Sequence, residues 1–209
     1  KKYLLYSNKV IYDIEDNILI NFSKKNNIYS FFRSVNKIKY LICNSDAVIT
    51  SSPMLSDDCY KISNKNNIFY ITSSINLEKY NIKKENIKKK KIIIGWTGTH
   101  SSRGYLDIIK SSLIEIQNLN KFDIKIISDF LYNPKELKII NCRWSKKTEI
   151  EDLSSIDIGF YPLPNDKWVN GKSGLKALQF MALGIPVIAS NVGMNNKIID
   201  NMQNGILVN

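Results

Sequence analysis

A polar segment that begins at Gly171 carries the residue types of an anion-binding site. Lys172, Lys176 and Gln179 recur at intervals of four and three residues, so on a helix they would project from one face. Ser173 is a candidate N-cap for that helix, whose first N–H groups and dipole favour negative charge. Fixed cations beside a helix N-terminus suit a diphosphate, although an ordinary surface helix with two lysines has the same spacing.

A second glycine-rich segment, residues 95–104, also contains residue types suited to anions. Glycines such as Gly98 would allow tight turns and close approach of the backbone, and Ser and Thr residues such as Thr99 supply hydroxyls and caps for a following helix. We interpret the segment as a potential phosphate cradle between a strand and a helix, with a purely structural turn as the open alternative. His100, the one histidine of the chain, is interpreted as a capping or surface residue and not as a general base.

The composition limits the class of protein. Of 209 residues, 44% are hydrophobic and 23% charged, which suffices for a sizeable core and excludes a disordered polymer. Three cysteines without metal-ligand spacing and a single histidine argue against a disulfide scaffold and a zinc site. The net charge of +11 favours an anionic partner, which leaves phosphorylated substrates, nucleic acid and an anionic membrane surface open. Lysines scattered over solvated faces would give the same charge.

The sequence has no membrane-spanning or secretory pattern. No segment approaches the roughly 20 apolar residues that cross a bilayer, and no signal-peptide pattern stands at the start. We therefore predict a soluble cytoplasmic protein, with peripheral contact at the inner face of an anionic membrane as a compatible addition. Because the first residue is Lys1, we expect the chain to be a piece of a longer protein.

Strands and helices are predicted to alternate along the chain. Residues 92–94 are apolar on both faces, as in a parallel strand that helices cover on both sides. The predicted fold is therefore α/β, with a doubly wound, Rossmann-like parallel sheet whose ligands bind beyond the carboxyl ends of the strands. The predicted strands are residues 10–13, 47–50, 68–72, 92–94, 124–127, 137–140, 156–161 and 186–189. The predicted helices are residues 29–44, a helix opening at 52–53, and residues 101–119, 147–153, 173–183 and a short helix from 195.

A charged segment divides the chain into two predicted domains. Residues 83–91 are so rich in lysine that they are predicted to form a linker, with a nucleic-acid-binding patch as the less favoured alternative. This linker would join a partial N-terminal α/β domain, residues 1–82, to a C-terminal α/β domain, residues 92–209. Residues 13–16 are interpreted as an acidic cluster in a solvated loop and not as a metal-binding motif.

The C-terminal half resembles a known family. Residues 171–193, with the core Met181-Ala182-x-Gly184-x-Pro186-Val187, are followed in order by Asn204-Gly205. This pattern resembles the donor-binding signature of retaining GT-B glycosyltransferases of the family 4 kind, and the resemblance extends over residues 93–208. Two further similarities lie outside the signature. Gly98 matches the family's Gly-rich loop, and Arg103-Gly104 matches the basic-Gly pair that follows it. Residues 12–16 and 45–52 resemble the last part of the family's first domain.

The resemblance implies roles for individual residues. It places Arg103 and Lys176 as the catalytic cations that hold the donor diphosphate. It also implies donor contacts at Gly98, Thr99, Lys172, Ser173, Gly174 and Gln179. The chain departs from the family at its Glu-x7-Glu pair, which maps onto Gly171 and Gln179, and at an acidic position that maps onto Lys197. Gln179 retains hydrogen-bonding groups for a ribose hydroxyl, whereas Gly171 has no side chain for the donor sugar.

The activity that the resemblance implies is sugar transfer from a nucleotide-diphosphate sugar to a glycan or lipid-linked acceptor, for polysaccharide biosynthesis. The reaction would be retaining and independent of metal, with no cofactor. The chain would be a truncated two-domain GT-B enzyme that binds donor and can be inactive alone. A GT-B-like epimerase or phosphorylase, and a non-enzymatic module for nucleotides or nucleic acid, remain open alternatives.

Overall fold

The computed structural model describes residues 6–20, 35–80 and 91–209. The chain divides into two compact units. The first contains the described residues up to Ser73 together with Asn165–Ser173, and the second contains Ser74–Pro164 and Gly174–Asn209. The predicted boundaries at residues 82 and 92 remain a prediction, because residues 81–90, and with them nearly all of the predicted linker, lie outside the described residues.

The first unit contains a parallel sheet with the order β1-β2-β3. Apolar side chains from the strands and the two helices form its core, namely Ile14, Ile42, Val48, Leu55 and Cys59. Residues 29–34 of the predicted first helix lie outside the described residues. The elements of this unit are β1 Ile11–Ile14, α1 Val35–Asn44, β2 Ala47–Thr50, α2 Pro53–Ser63 and β3 Ile68–Tyr70.

The start of α2 confirms the predicted helix opening at residues 52–53. Ser52 is the N-cap, and its Oγ accepts a hydrogen bond from the Leu55 N–H at 3.3 Å. Pro53 occupies the first helical position, where the missing N–H costs nothing because that group has no partner in the helix. The C-cap of the helix is Asn64, whose φ of 52° is left-handed.

A short segment late in the sequence packs into the first unit. Its helix, Lys167–Asn170, is capped by Asp166, whose Oδ1 accepts from the Val169 N–H at 2.8 Å. The Asn17 amide donates to the Lys167 carbonyl at 2.9 Å, and the Ser52 hydroxyl donates to the Gly171 carbonyl at 3.2 Å. Residues 165–173 therefore belong structurally with the carboxyl ends of β1 and β2, although they lie inside the predicted C-terminal domain.

The second unit contains six parallel strands in the order β6-β5-β4-β7-β8-β9. The chain starts at β4 in the middle of the sheet, adds strands on one side, and then returns to add strands on the other side. This order confirms the predicted doubly wound, Rossmann-like sheet. The strands are β4 Ile92–Gly98, β5 Phe122–Ser128, β6 Ile139–Arg143, β7 Ile158–Tyr161, β8 Val187–Ser190 and β9 Gly205–Val208. The α-helices are α3 Gly104–Ile108, α4 Lys110–Asn118, α5 Glu149–Ser154, α6 Leu175–Ala182 and α7 Asn195–Ile198, with 3-10 turns at Leu77–Tyr80 and His100–Ser102.

Three differences between the predicted and the observed elements of this unit bear on the candidate site. Residues 95–98 continue β4 and do not form a turn, because the glycines at 95 and 98 meet the bulky side chains of Ile156 and Trp96 within a buried strand. The predicted helix over residues 101–119 is interrupted, since Ser102 hydrogen-bonds to the Thr99 carbonyl and Ile109 leaves helical geometry with φ −110° and ψ 10°. Helix α6 begins at Leu175, two residues after the predicted cap Ser173.

Within the described residues, no helix is long and apolar enough to cross a membrane.

Candidate functional site

The candidate site lies in the second unit, where the strand order reverses. β4 and β7 are neighbours, and the chain leaves them toward opposite sides of the sheet. In an open parallel sheet the crevice for a ligand forms beyond the carboxyl ends of such a strand pair. Gly98 ends β4 and Tyr161 ends β7.

Gly98 is a position where a close approach requires glycine. A Cβ at this residue would overlap the six-membered ring of Trp96 and would lie 2.6 Å from the Nζ of Lys176. Trp96 is 1% exposed and belongs to the core of the unit, so its ring has no room to move away. The missing side chain at Gly98 therefore leaves the space in which the Lys176 ammonium lies.

Lys176 is the second residue of α6 and reaches the carboxyl end of β4. Its Nζ lies 4.9 Å from the centroid of the Trp96 ring and 6.0 Å from that of Tyr161. Both distances are in the range of cation–π attraction, which holds the ammonium over ring faces that belong to the sheet. The structure thus brings Gly98 and Lys176 together, although 78 positions separate them in the sequence.

Arg103 lies at the start of α3, on the loop that follows β4. Its Cζ is 5.9 Å from the centroid of the Phe130 ring, and Phe130 packs edge-to-face on Trp96 with centroids 6.1 Å apart. The two predicted cations, Arg103 and Lys176, are therefore held by two neighbouring rings. Sequence reasoning missed Phe130, although its place two residues after β5 puts it at the carboxyl edge of the predicted sheet.

The loop between Gly98 and Arg103 is built by short polar contacts. The Thr99 carbonyl accepts from the N–H and from the hydroxyl of Ser102, both at 2.9 Å. The Asp129 carboxylate accepts from the backbone N–H of His100 at 2.7 Å, and the His100 ring packs edge-to-face on Phe130 at 5.9 Å. His100 thus packs against the loop as a surface residue, in line with its interpretation from the sequence, while the loop itself is fixed to the end of β5.

Tyr132 lies beside Arg103 and remains protonated near neutral pH. Burial, followed by its hydrogen bond to the Asp107 carboxylate at 3.1 Å, raises the pKa of Tyr132 to about 12. The hydroxyl is therefore a hydrogen-bond donor here and not a base.

Gln179 is buried and is held in a polar network. Its Nε2 donates to the Tyr80 hydroxyl at 3.1 Å and to Glu149 Oε1 at 3.3 Å. The same Glu149 oxygen accepts from the indole N–H of Trp144 at 3.0 Å, and the Trp144 side chain is 43% exposed. A carboxylate is thus adjacent to Gln179, supplied by α5 and not by α6. Sequence reasoning did not identify Glu149 or Tyr80.

The predicted stripe of Lys172, Lys176 and Gln179 on one helix face was wrong. Gly174 has a φ of +75°, which a regular helix does not accommodate, so α6 cannot begin before Leu175. Gly174, and not Ser173, is the N-cap residue, and Lys172 and Ser173 belong to the first unit.

Lys172 is instead part of an ion pair in the first unit. Its Nζ lies 3.2 Å from the Asp16 carboxylate and 5.1 Å from the centroid of the Trp168 ring. A Cβ at Gly171 would lie 2.7 Å from the Asn17 Cβ, so a larger residue does not fit there without a shift of the backbone.

Among the described residues, no group of three or more His, Cys, Asp or Glu side chains is placed to hold a metal ion.

A groove of about 500 Å³ lies at the other edge of the sheet, at the amino ends of β8 and β9. Its lining carries no charged side chain and consists of Met181, Gly184, Ile185, Pro186, Met202, Gln203, Asn204, Gly205 and Ile206. This groove therefore lacks the cations that the carboxyl edge of β4 possesses.

This chain is similar to known proteins in structure and not in sequence. No protein-family model matches the sequence, and no curated protein matches it by sequence. TarM has a TM-score of 0.69 at 15% identity, over 96% of this chain and 40% of its own. HepE from Anabaena, solved in complex with UDP and glucose, has a TM-score of 0.68 at 15% identity, over 96% of this chain and 57% of its own.

A third similar structure is WaaG, described as a glycosyltransferase involved in lipopolysaccharide biosynthesis. It has a TM-score of 0.66 at 11% identity, over 98% of this chain and 65% of its own. The chain thus spans between 40% and 65% of the length of these three proteins. At such low sequence identity the structural similarity establishes the fold alone, and the chain has the α/β fold of the GT-B glycosyltransferases over part of their length.

Proposed function

We propose that this chain is the donor-binding part of a retaining glycosyltransferase that takes its sugar from a nucleoside-diphosphate sugar. The acceptor would be a glycan or a lipid-linked glycan. The observation that carries the proposal is the placement of Lys176 and Arg103 on neighbouring rings at the carboxyl end of β4, where Gly98 leaves space for the ammonium. The similar fold of HepE, solved with UDP and glucose, and of TarM, solved with UDP, supports the same class of donor.

The proposed chemistry needs stabilisation of a departing nucleoside diphosphate. As the bond from the sugar to the diphosphate breaks, negative charge grows on the leaving oxygen and the sugar carbon becomes cationic in character. Lys176 and Arg103 are fixed before the reaction, so they stabilise that charge without a large rearrangement. Two preorganised cations stabilise the charge on the leaving diphosphate, which a divalent metal ion does in other enzymes. We therefore propose transfer without a metal or other cofactor.

The network around Gln179 is the proposed site for the ribose of the donor. A carboxylate accepts about four hydrogen bonds, and the Glu149 contacts with Trp144 and Gln179 both use Oε1. The Glu149 carboxylate therefore has lone pairs left to accept hydrogen bonds from the two adjacent hydroxyls of a ribose. Glu149 thereby compensates for the absence of a glutamate at position 179. Of the other predicted donor residues, Gly98, Thr99 and Gly174 belong to the second unit with Lys176 and are kept in the proposal. Lys172, which pairs with Asp16, and Ser173 belong to the first unit, and their contact with a donor stays a prediction.

A binding panel tests this function on the 209-residue chain itself. We expect one of UDP, GDP and ADP, free or as its nucleotide sugar, to raise the thermal unfolding midpoint selectively and saturably, whereas CMP, which carries a single phosphate, should not. A ligand at 100 times its Kd stabilises a protein by about 2.7 kcal/mol, or about 5–10 °C for a chain of this size. Moderate salt should weaken the effect only modestly.

A single-stranded oligonucleotide in the same salt series is the control for the alternative. Binding that ignores the nucleotides, takes the oligonucleotide and falls steeply with salt would identify a nucleic-acid-binding module in place of a transferase.

A further inference from the structure

We propose that Trp96 and Phe130 form an aromatic platform that positions both cations of the diphosphate site. The inference rests on the proposed function and adds two positioning residues to it. Neither ring needs to touch the donor for this role. The platform acts through Lys176 and Arg103, whose charged groups it holds.

The geometry joins four side chains in one series. Lys176 Nζ lies 4.9 Å from the Trp96 centroid, and Arg103 Cζ lies 5.9 Å from the Phe130 centroid. The two rings meet edge-to-face, with centroids 6.1 Å apart and planes at 66°. In this arrangement the positive edge of one ring faces the negative face of the other, so the pair is attractive as well as space-filling.

The platform is rigid, while the side chains that it holds are flexible. Trp96 is buried within β4, which pairs with β5 and β7. Phe130 packs on the same core, and its carbonyl accepts from the Ser128 hydroxyl at 2.6 Å, which ties it to the end of β5. Lysine and arginine lose much side-chain entropy when a ligand orders them. Rings fixed to two strands restrict these side chains before the ligand arrives, which favours binding.

A ring face holds a cation in a way that suits this site. The quadrupole of the ring attracts the charge but carries no net charge of its own, so the field of the cation toward a ligand persists. A carboxylate partner, as Asp16 is for Lys172, cancels much of that field. A ring can therefore position a cation without neutralising it.

Substitutions at Phe130 test the platform, with inorganic pyrophosphate as the probe because it is independent of base and sugar. We expect Phe130→Leu to bind pyrophosphate roughly 3- to 10-fold more weakly at low ionic strength, as measured by calorimetry. Phe130→Tyr keeps the ring face and should bind like the wild type. Leu131→Ala, at a neighbouring side chain that is 70% exposed, is the matched control and should have no effect.

Each outcome decides the question. Equal binding by the wild type and Phe130→Leu would overturn the platform and leave the proposed function intact. Equal losses in Phe130→Leu and Phe130→Tyr would also overturn it, because the effect would then be steric. If the wild type itself does not bind pyrophosphate, the diphosphate site and the platform both fail. Unfolding curves verify that each variant is folded, and Phe130→Met replaces Phe130→Leu if the latter is not.

Discussion

Replacing Lys176 by methionine is expected to weaken binding of a nucleoside diphosphate to this chain by about 10- to 100-fold. In an active form of the proposed transferase the same change should lower turnover by about 100- to 1000-fold, since the leaving diphosphate carries more charge in the transition state than in the ground state. Methionine keeps the length of the side chain and its contact with the Trp96 and Tyr161 rings while it removes the charge. Titration calorimetry and initial-rate assays measure the two effects. Arg103→Met should act in the same direction, because both cations serve the same diphosphate.

Lys121→Met is the control for the loss of a positive charge. Lys121 is exposed and comes directly before β5, at the amino edge of the sheet and far from Gly98. This variant should bind the nucleotide nearly as the wild type does, because an exposed charge at that distance is screened by salt. Near-normal binding and turnover in both Lys176→Met and Arg103→Met would reject the assignment of these residues.

Replacing Gly98 by alanine is expected to weaken nucleotide binding about as much as Lys176→Met does, although no charge is removed. The added Cβ would overlap the Trp96 ring and lie 2.6 Å from Lys176 Nζ. Trp96 is enclosed by the core, so the lysine must leave its place and the strand must absorb the remaining overlap. Overpacking of this kind costs about 1–3 kcal/mol of stability. Chemical denaturation and nucleotide titration of the same sample measure both effects.

Gly104→Ala is the matched control for stability. A Cβ at Gly104 would meet nothing within 4 Å, and the residue is the first of α3. This substitution should leave the free energy of unfolding unchanged or raise it by up to about 1 kcal/mol, because alanine loses less backbone entropy than glycine. A Gly98→Ala protein as stable as Gly104→Ala, with full nucleotide binding, would show that no close approach exists at Gly98.

The sequence predicted the fold where local signals agree with the tertiary structure. β2 has its predicted bounds, and α2 begins where a serine precedes a proline. The predictions failed at glycines, because a glycine indicates a turn and a close packing contact equally well. Gly98 makes a close packing contact and is the last residue of β4. Gly174 has a left-handed φ, and α6 therefore begins only after it. The choice between these outcomes depends on the neighbours Trp96 and Ile198, which no local pattern supplies.

The candidate site was predictable only in part. Arg103, Lys176 and Gly98 came from a motif resemblance, and the structure places them together in the second unit. Phe130 and Glu149 were missed because their partners come from distant elements; Glu149, for example, is 30 residues from Gln179. Helical periodicity misplaced Lys172, because it assumes that a helix continues through Gly174.

Backbone amide spectra recorded during a titration of the 209-residue chain with pyrophosphate, and then with the nucleotide that the panel selects, test the diphosphate site most directly. Shifts that saturate together at residues 98–103 and at the start of α6 are predicted, because Gly98 lies against the Lys176 ammonium and Arg103 ends the loop that begins at Gly98. Shifts confined to the groove at Met202–Ile206, with none at residues 98–103, would contradict a diphosphate site at the carboxyl end of β4.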